Sequence, residues 1–502
     1  MAKAQKPNII VIMADDLGYS DIGCYGSEIL TPNLDALAAN GVKFTQFYNA
    51  ARCCPSRASL LTGVYPHQAG MGKMVVTGKI KNREPETPNQ GWLSKKTVTI
   101  AEVLKKAGYQ TFMSGKWHVG EERPDWPLQR GFDKYFGLIS GANSYYRLLP
   151  GRLILENNEP YTIPEGFYFT DAISDKAVEY IDAASKKPFF MYVAYTAPHW
   201  PLHAPDEEVA KYTGKYLQGW DILRQSRFQK QQKMGLLPVS QLLSERDPTI
   251  SEWGSALDKE EWDQKMAAYA AMVTRMDAGI GKIVAKLKAN GQLDNTLIMF
   301  LSDNGACSEE LMGRAKRDLG DEAYERMQTT KPGEKGSYIA YGKEWANLGN
   351  VPFRMYKSYT HEGGISTPLI VHYPKLIKKA FQTDQVGHIM DIMPTCLDLA
   401  GATYPKSFNS NTIKPVEGKS LMPILKGSSR KSHEFIAWEH FDSRAIRKDN
   451  WKLVWSRENK KWELYDLAKD RSEMNDLSGK NSPKVIELTS LYNQWSDRVG
   501  VN

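Results

Sequence analysis

Short, nearly continuous apolar runs alternate along the chain with amphipathic stretches of helical period, and the runs stop abruptly in polar residues. The first run, 8–13, follows Pro7 and ends in Ala14-Asp15-Asp16-Leu17-Gly18. A run of this kind reads as a strand covered on both faces of a sheet. A helix is predicted next, with Thr31 as N-cap, Pro32 at its first position, Leu34, Leu37 and Ala38 on one face, and Gly41 past its end. Thr99 and Glu102 stand at capping-box spacing before a second helix that stops at Gly108. The strand 109–113 leads into Ser114-Gly115-Lys116-Trp117-His118, and the strand 189–195 into Ala197-Pro198-His199-Trp200-Pro201. A long amphipathic helix over 264–289 feeds the strand 296–301, which ends in Ser302-Asp303-Asn304-Gly305. A further strand, 368–372, precedes a helix over 389–400. Strands and helices alternating in this way predict the α/β class with a largely parallel sheet.

Three stretches break the alternation. Residues 201–262 turn polar and charged and read as an insertion over the sheet edge. Residues 309–349, rich in Gly, Lys and charge, read as a long excursion. From about residue 425 the pattern changes in kind: short strands at 444–447, 451–455 and 462–465 are separated by turns and followed by a helix over 484–495. Strands so closely spaced pair antiparallel. The expected organisation is a large domain, 1–424, carrying the insertion, and a small antiparallel α+β domain, 425–502.

Composition narrows the classes. The 502 residues are 41% hydrophobic and 25% charged, the mixture of a soluble globular protein. No apolar run approaches the roughly 18 residues a spanning helix needs, so no membrane span is expected. The net charge of +7 is the difference of 65 basic and 58 acidic residues and favours an anion without identifying one. There is no basic tract with interleaved aromatics, so nucleic acid is not an expected partner. Five cysteines are too few and scattered for a disulfide framework, and the adjacent pair Cys53-Cys54 stands out.

Four strand ends carry chemistry. Any one polar pair after a strand suits a simple turn, but four in one chain converge where open α/β sheets bind ligands. Asp15, Asp16, Asp303 and Asn304 offer only oxygen ligands, the set a hard cation such as calcium or magnesium prefers. Lys116, His118, His199 and Lys357 add positive charge and proton donors, and together these describe a pocket for a small tetrahedral anion.

The string Cys53-Cys54-Pro55-Ser56-Arg57-Ala58-Ser59-Leu60-Leu61-Thr62-Gly63 resembles the signature of the type I sulfatases, whose first cysteine is oxidised to formylglycine. The other strand ends and His361-Glu362-Gly363-Gly364 look like family landmarks in the family's order, over nearly the whole chain, and the regions 201–262 and 350–367 resemble bacterial arylsulfatases most. The resemblance implies an alkaline-phosphatase-like mixed sheet sandwiched by helices, with a small C-terminal antiparallel domain. It implies sulfuric ester hydrolysis of an aryl or carbohydrate substrate, with formylglycine derived from Cys53 by a formylglycine-generating or sulfatase-maturating enzyme. It implies Ca2+, with Mg2+ second, held by Asp15, Asp16, Asp303, Asn304 and the residue at Cys53. It further implies Arg57 as support for the nucleophile, Asp303 as base, and Lys116, His199 and Lys357 as contacts to the sulfuryl oxygens. His199 or Lys357 would protonate the leaving group and His118 would accept a proton. Lys343 is the alternative to Lys357, and His203 a second histidine that could face the substrate. Rival readings are a phosphonate or phosphodiester hydrolase, or an anion-binding protein with Cys53 unmodified. The compartment expected is the periplasm if an export signal has been removed, and otherwise the cytoplasm.

Overall fold

The computed structural model describes residues 6–76, 78, 80, 82–184 and 187–501. At its centre is an eleven-stranded mixed sheet. Its strands are β1 (Asn8–Ala14), β2 (Val42–Tyr48), β3 (Gln110–Gly115), β4 (Lys134–Leu138), β5 (Ile154–Glu156), β6 (Glu159–Pro160), β7 (Phe189–Ala194), β8 (Thr296–Ser302), β9 (Ser366–His372), β10 (Phe381–Thr383) and β11 (Gly387–His388). The spatial order is β10-β2-β9-β8-β1-β7-β3-β4-β5-β6, with β11 also paired to β2. β8, β1, β7, β3 and β4 run parallel, whereas β9 is antiparallel to both β8 and β2.

Alternation along β1 explains the layers. Ile10 and Ile12 face one core with Met191, Val193, Ile298 and Phe300, and Ile9, Val11 and Met13 face a second core with Phe190, Tyr192, Leu297 and Met299. Helices Pro32–Ala39, Phe169–Ala183 and Lys259–Ala289 cover the first face. Helices Cys53–Thr62, Ile100–Lys106 and Ile392–Ala400 cover the second. The capping box at Thr99 and Glu102 forms with both bonds present.

Several elements depart from the sequence reading. β2 and the helices Cys53–Thr62 and Phe169–Ala183 were not expected, and the long helix starts at Lys259. The 309–349 excursion holds the helices Met312–Leu319, Asp321–Met327 and Gly342–Gly349. The insertion does reach edge strand β10, where Gln382 Nε2 donates to Gly235 O at 2.6 Å. Most of its apolar surface nevertheless joins the core: Trp220 and Leu223 of helix Gly219–Lys233 are buried in the first-face cluster, because they project from one side of that helix. Among the described residues, no helix is long and apolar enough to cross a membrane.

A hairpin, β12 (Ser407–Phe408) with β13 (Asn411–Thr412), precedes the C-terminal sheet. That sheet is fully antiparallel: β14 (Ile436–His440), β15 (Ser443–Lys448), β16 (Trp451–Ser456) and β17 (Lys461–Asp466), with helix Ser482–Val499 against it. A buried ion cluster ties it to the large sheet. Lys452 of β16 meets Glu362 at 2.9 Å and Glu473 at 2.8 Å, and Arg471 meets Glu362 at 3.1 Å. Tyr48 of β2 donates to the same Glu362 carboxylate at 2.9 Å. Burial alone would raise the Glu362 carboxyl, but Lys452 and Arg471 bring it down to about 2.

Removing one partner of such a cluster leaves a buried charge uncompensated. Lys452→Met is expected to cost about 3–5 kcal/mol of unfolding free energy in urea titration. Lys461→Met, which breaks the exposed Lys461–Asp476 pair, is expected to cost about 1 kcal/mol or less. Equal losses would show that the Glu362 cluster does not hold the two sheets together.

Candidate functional site

The polar ends of β1, β3 and β8 lie at the same edge of the sheet, because β1 is flanked by β7 and β8 and β7 by β3. They deliver Asp15 and Asp16, Lys116 and His118, and Asp303 and Asn304. The segment after β7 brings His199, and a loop before helix Glu362–Ile365 brings Lys357. Cys53 opens helix Cys53–Thr62, every residue of which is buried. Gly63, at φ 73, ends that helix in the left-handed region that favours glycine.

The charged side chains are buried and paired. Lys116 Nζ meets Asp15 Oδ2 at 2.6 Å. An Arg57 nitrogen lies 2.8 Å from Asp303 Oδ2 and 3.6 Å from Asp15 Oδ2, and Arg57 also donates to the Lys116 carbonyl at 3.0 Å. Lys357 Nζ donates to Asp16 Oδ2 at 2.8 Å and lies 3.5 Å from His199 Nε2. Asn304 Nδ2 donates to Asp16 Oδ1 at 2.7 Å, and the Asp16 amide to Asp303 Oδ1 at 3.2 Å. Asp16 sits at φ 64, a left-handed conformation that turns its carboxylate back toward β8.

Burial sets the electrostatics. Desolvation, with the Asp303 charge, pushes the Asp15 carboxyl up to about 7, and desolvation raises Asp303 as well. Asp16 goes the other way: burial opposes its charge, but Lys357 and His199 hold it well below the carboxylate range. Burial also depresses His199 and pushes His118 down to about 3, so both rings are neutral near pH 7. A hydrogen bond from Cys54 and the field of Lys116 outweigh burial at Cys53 and hold its thiol well below its usual range.

Two oxygen acceptors of this set are left over. Asp15 Oδ1 and Asn304 Oδ1 are buried with no hydrogen-bond partner among the described residues. Such atoms are costly unless something else binds them. Their chemistry, with the Asp16 and Asp303 carboxylates, fits a hard cation. Three carboxylates against Arg57, Lys116 and Lys357 are formally neutral, so a divalent cation would leave a net positive site suited to an anion.

The structure thus brings together Asp15, Asp16, Cys53, Arg57, Lys116, His118, His199, Asp303, Asn304 and Lys357, but not the two alternatives the sequence offered. Lys343 stands elsewhere, part-buried and bonded to Thr249 Oγ1 at 2.9 Å. His203 is a packed histidine, its Nε2 at 2.8 Å from the Ser337 carbonyl. Two residues escaped sequence reasoning. Glu309 lies 3.8 Å from Lys357 and 2.8 Å from Arg52, and accepts from Trp200 Nε1 at 3.1 Å. The position of Arg52 directly before the cysteine string was a usable signal, whereas nothing local marked Glu309.

The family model described as sulfatase matches residues 7–402, and that of the N-sulphoglucosamine sulphohydrolase C-terminal region matches 353–496. An uncharacterized sulfatase of Schizosaccharomyces pombe is 36% identical over 538 residues, covering 100% of this chain and 95% of the relative. The arylsulfatase of Klebsiella aerogenes is 33% identical, covering 86% of this chain and 94% of its own. A solved structure, Ps i-CgsB in complex with k-i-k-neocarrahexaose, superposes with TM-score 0.71 at 29% identity, covering 98% of this chain and 93% of that one. Because these matches run through the cysteine helix and each strand end that carries a site residue, the chain belongs to the sulfatase family, hydrolases of sulfuric esters.

Proposed function

We propose that the protein hydrolyses sulfate monoesters of carbohydrates or aryl alcohols at residue 53, once a maturating enzyme has converted Cys53 to formylglycine, with calcium at Asp15, Asp16, Asp303 and Asn304. The observation that carries this reading is the pair of unpartnered buried oxygens, Asp15 Oδ1 and Asn304 Oδ1, within an all-oxygen ligand set. Calcium accepts such a mixed carboxylate and amide set more readily than magnesium, which demands near-ideal octahedral geometry. Bound there, the cation supplies Lewis acidity and orients the ester. Formylglycine supplies a hydrated-aldehyde nucleophile in place of a thiol. Both substrate classes have support, from the arylsulfatase of Klebsiella aerogenes and from the oligosaccharide-bound Ps i-CgsB.

The chain's own groups have distinct tasks in this reading. Arg57 orients Asp303 and Asp15 and offsets their charge. Asp303, within the electrostatic reach of residue 53, takes the proton of the attacking hydroxyl. Lys116 and Lys357 place ammonium groups against the sulfuryl oxygens, where negative charge grows. His118, neutral through burial, takes a further proton from residue 53. His199 Nδ1 lies 2.6 Å from the Trp200 carbonyl, which assigns the ring proton to Nδ1 and turns the Nε2 lone pair toward the Lys357 ammonium. The couple delivers a proton from Lys357 toward the departing oxygen.

Converted protein is expected to prefer sulfate esters in parallel kcat/KM measurements on sulfate and phosphate esters of the same alcohols; a preference for phosphorus would overturn the proposal. Peptide mass spectrometry of active protein should find the Cys53 peptide lighter than encoded, and activity from a fully unconverted chain would remove formylglycine from the scheme.

His199→Asn is expected to slow esters of poor leaving groups by about 10²–10⁴-fold and those of good leaving groups far less. Equal losses on both would refute its place in leaving-group protonation. Because Asp15 is protonated up to about pH 7 without a cation, calcium must displace that proton below this pH. Calorimetric titration should therefore show affinity falling about tenfold per unit as pH drops below about 7 and levelling above it. A flat profile would count against Asp15 as a ligand.

A further inference from the structure

The same pocket holds a second set of ligand atoms, of a softer class than the oxygens of Asp15, Asp16, Asp303 and Asn304. The sulfurs of Cys53 and Cys54 and a ring nitrogen of His118 all lie within 4.8 Å of one another, and all three residues are buried. His118 Nδ1 has no hydrogen-bond partner among the described residues. The two cysteines are the first residues of helix Cys53–Thr62, and a hydrogen bond from Cys54 and the field of Lys116 hold the Cys53 thiol below its usual range, whereas burial raises that of Cys54. We propose that, in a chain whose Cys53 has kept its thiol, Cys53, Cys54 and His118 bind a borderline-soft divalent cation, zinc foremost, separately from the oxygen ligands of Asp15, Asp16, Asp303 and Asn304.

The donor types decide the metal. Two sulfurs and an imidazole suit zinc and repel calcium, whose ligands are oxygen. Zinc–sulfur bonds of about 2.3 Å in a tetrahedron place neighbouring sulfurs about 3.8 Å apart, so the cluster needs at most about 1 Å of closure. Binding is a simple exchange: Zn2+ forms two bonds to sulfur and one to nitrogen, two thiol protons leave to solvent, and nothing is oxidised or reduced. Two thiolates neutralise the cation, and the fourth position falls to water. Conversion of Cys53 removes one of the two sulfurs, so one molecule cannot be both matured and zinc-loaded at this place. Zinc capacity therefore counts the unconverted fraction of a preparation.

The test uses full-length protein made in a host without a maturating enzyme, stripped by a chelator and titrated with Co2+ as a spectroscopic stand-in for zinc. The expected result is one equivalent bound with thiolate-to-cobalt charge-transfer absorption, which an equimolar amount of Zn2+ abolishes. Cys54→Ser should weaken Co2+ binding about a hundredfold or more, and His118→Gln should weaken it and shift the spectrum. If one variant fails to fold, as judged by circular dichroism and melting, the other decides. Folded wild-type protein without the charge-transfer band, or a band unchanged in the folded variants, would overturn the proposal. Loss of ester hydrolysis would leave it standing, and its own failure would leave the sulfatase reading standing.

Discussion

The site depends on mutual neutralisation of charges that water cannot reach. An isolated buried ion costs several kcal/mol even after relaxation, yet Asp15, Asp16, Asp303, Arg57, Lys116 and Lys357 all lie inside the protein. Each is tolerable because another segment of chain delivers its counter-charge: Lys116 from the end of β3 for Asp15, Arg57 from a helix for Asp303, Lys357 from a distant loop for Asp16. The topology follows from this need as much as from apolar packing. Central β1 and β8, paired in parallel from Asn8↔Thr296 to Ala14↔Ser302, put both acidic ends at one level.

The C-terminal sheet repeats the same physics at a distance. Glu362 stands at the head of a short helix just after the loop that carries Lys357, and its carboxylate is held by Lys452 and Arg471 from the C-terminal part of the chain. The same loop is fastened at Ser358, whose carbonyl accepts from Ser443 Oγ at 2.9 Å and whose amide donates to Ala51 O at 2.8 Å. The C-terminal sheet thus fixes the loop whose lysine completes the charge balance of the buried site, although none of its own strands bears one of those charges.

Much of the frame was legible because buried parallel strands leave uninterrupted apolar runs: β1, β7 and β8 all do so. β2 was not, since Val-Lys-Phe-Thr-Gln-Phe-Tyr mixes polar residues into the run and follows Gly41 with no turn to mark it. Helix Cys53–Thr62 was hidden for a different reason. Its cysteines, proline, serines and threonine are weak helix formers, Arg52 provides no side-chain cap, and tertiary burial makes the helix. The site residues were legible through the cysteine string and the strand ends. Glu309 was not, because its partners Arg52 and Lys357 are far away in sequence and only the fold reveals their proximity.

Complete burial of helix Cys53–Thr62 also orders events in time. A macromolecular catalyst cannot approach a side chain only 3% exposed at the start of a helix that is packed between a sheet and its own covering helices. In the proposed maturation, conversion of Cys53 would have to come while the segment is still an extended, accessible peptide. Docking of the helix would then close the opportunity, so folding and the proposed modification would compete as rates, and a chain that folds first would keep its two adjacent thiols.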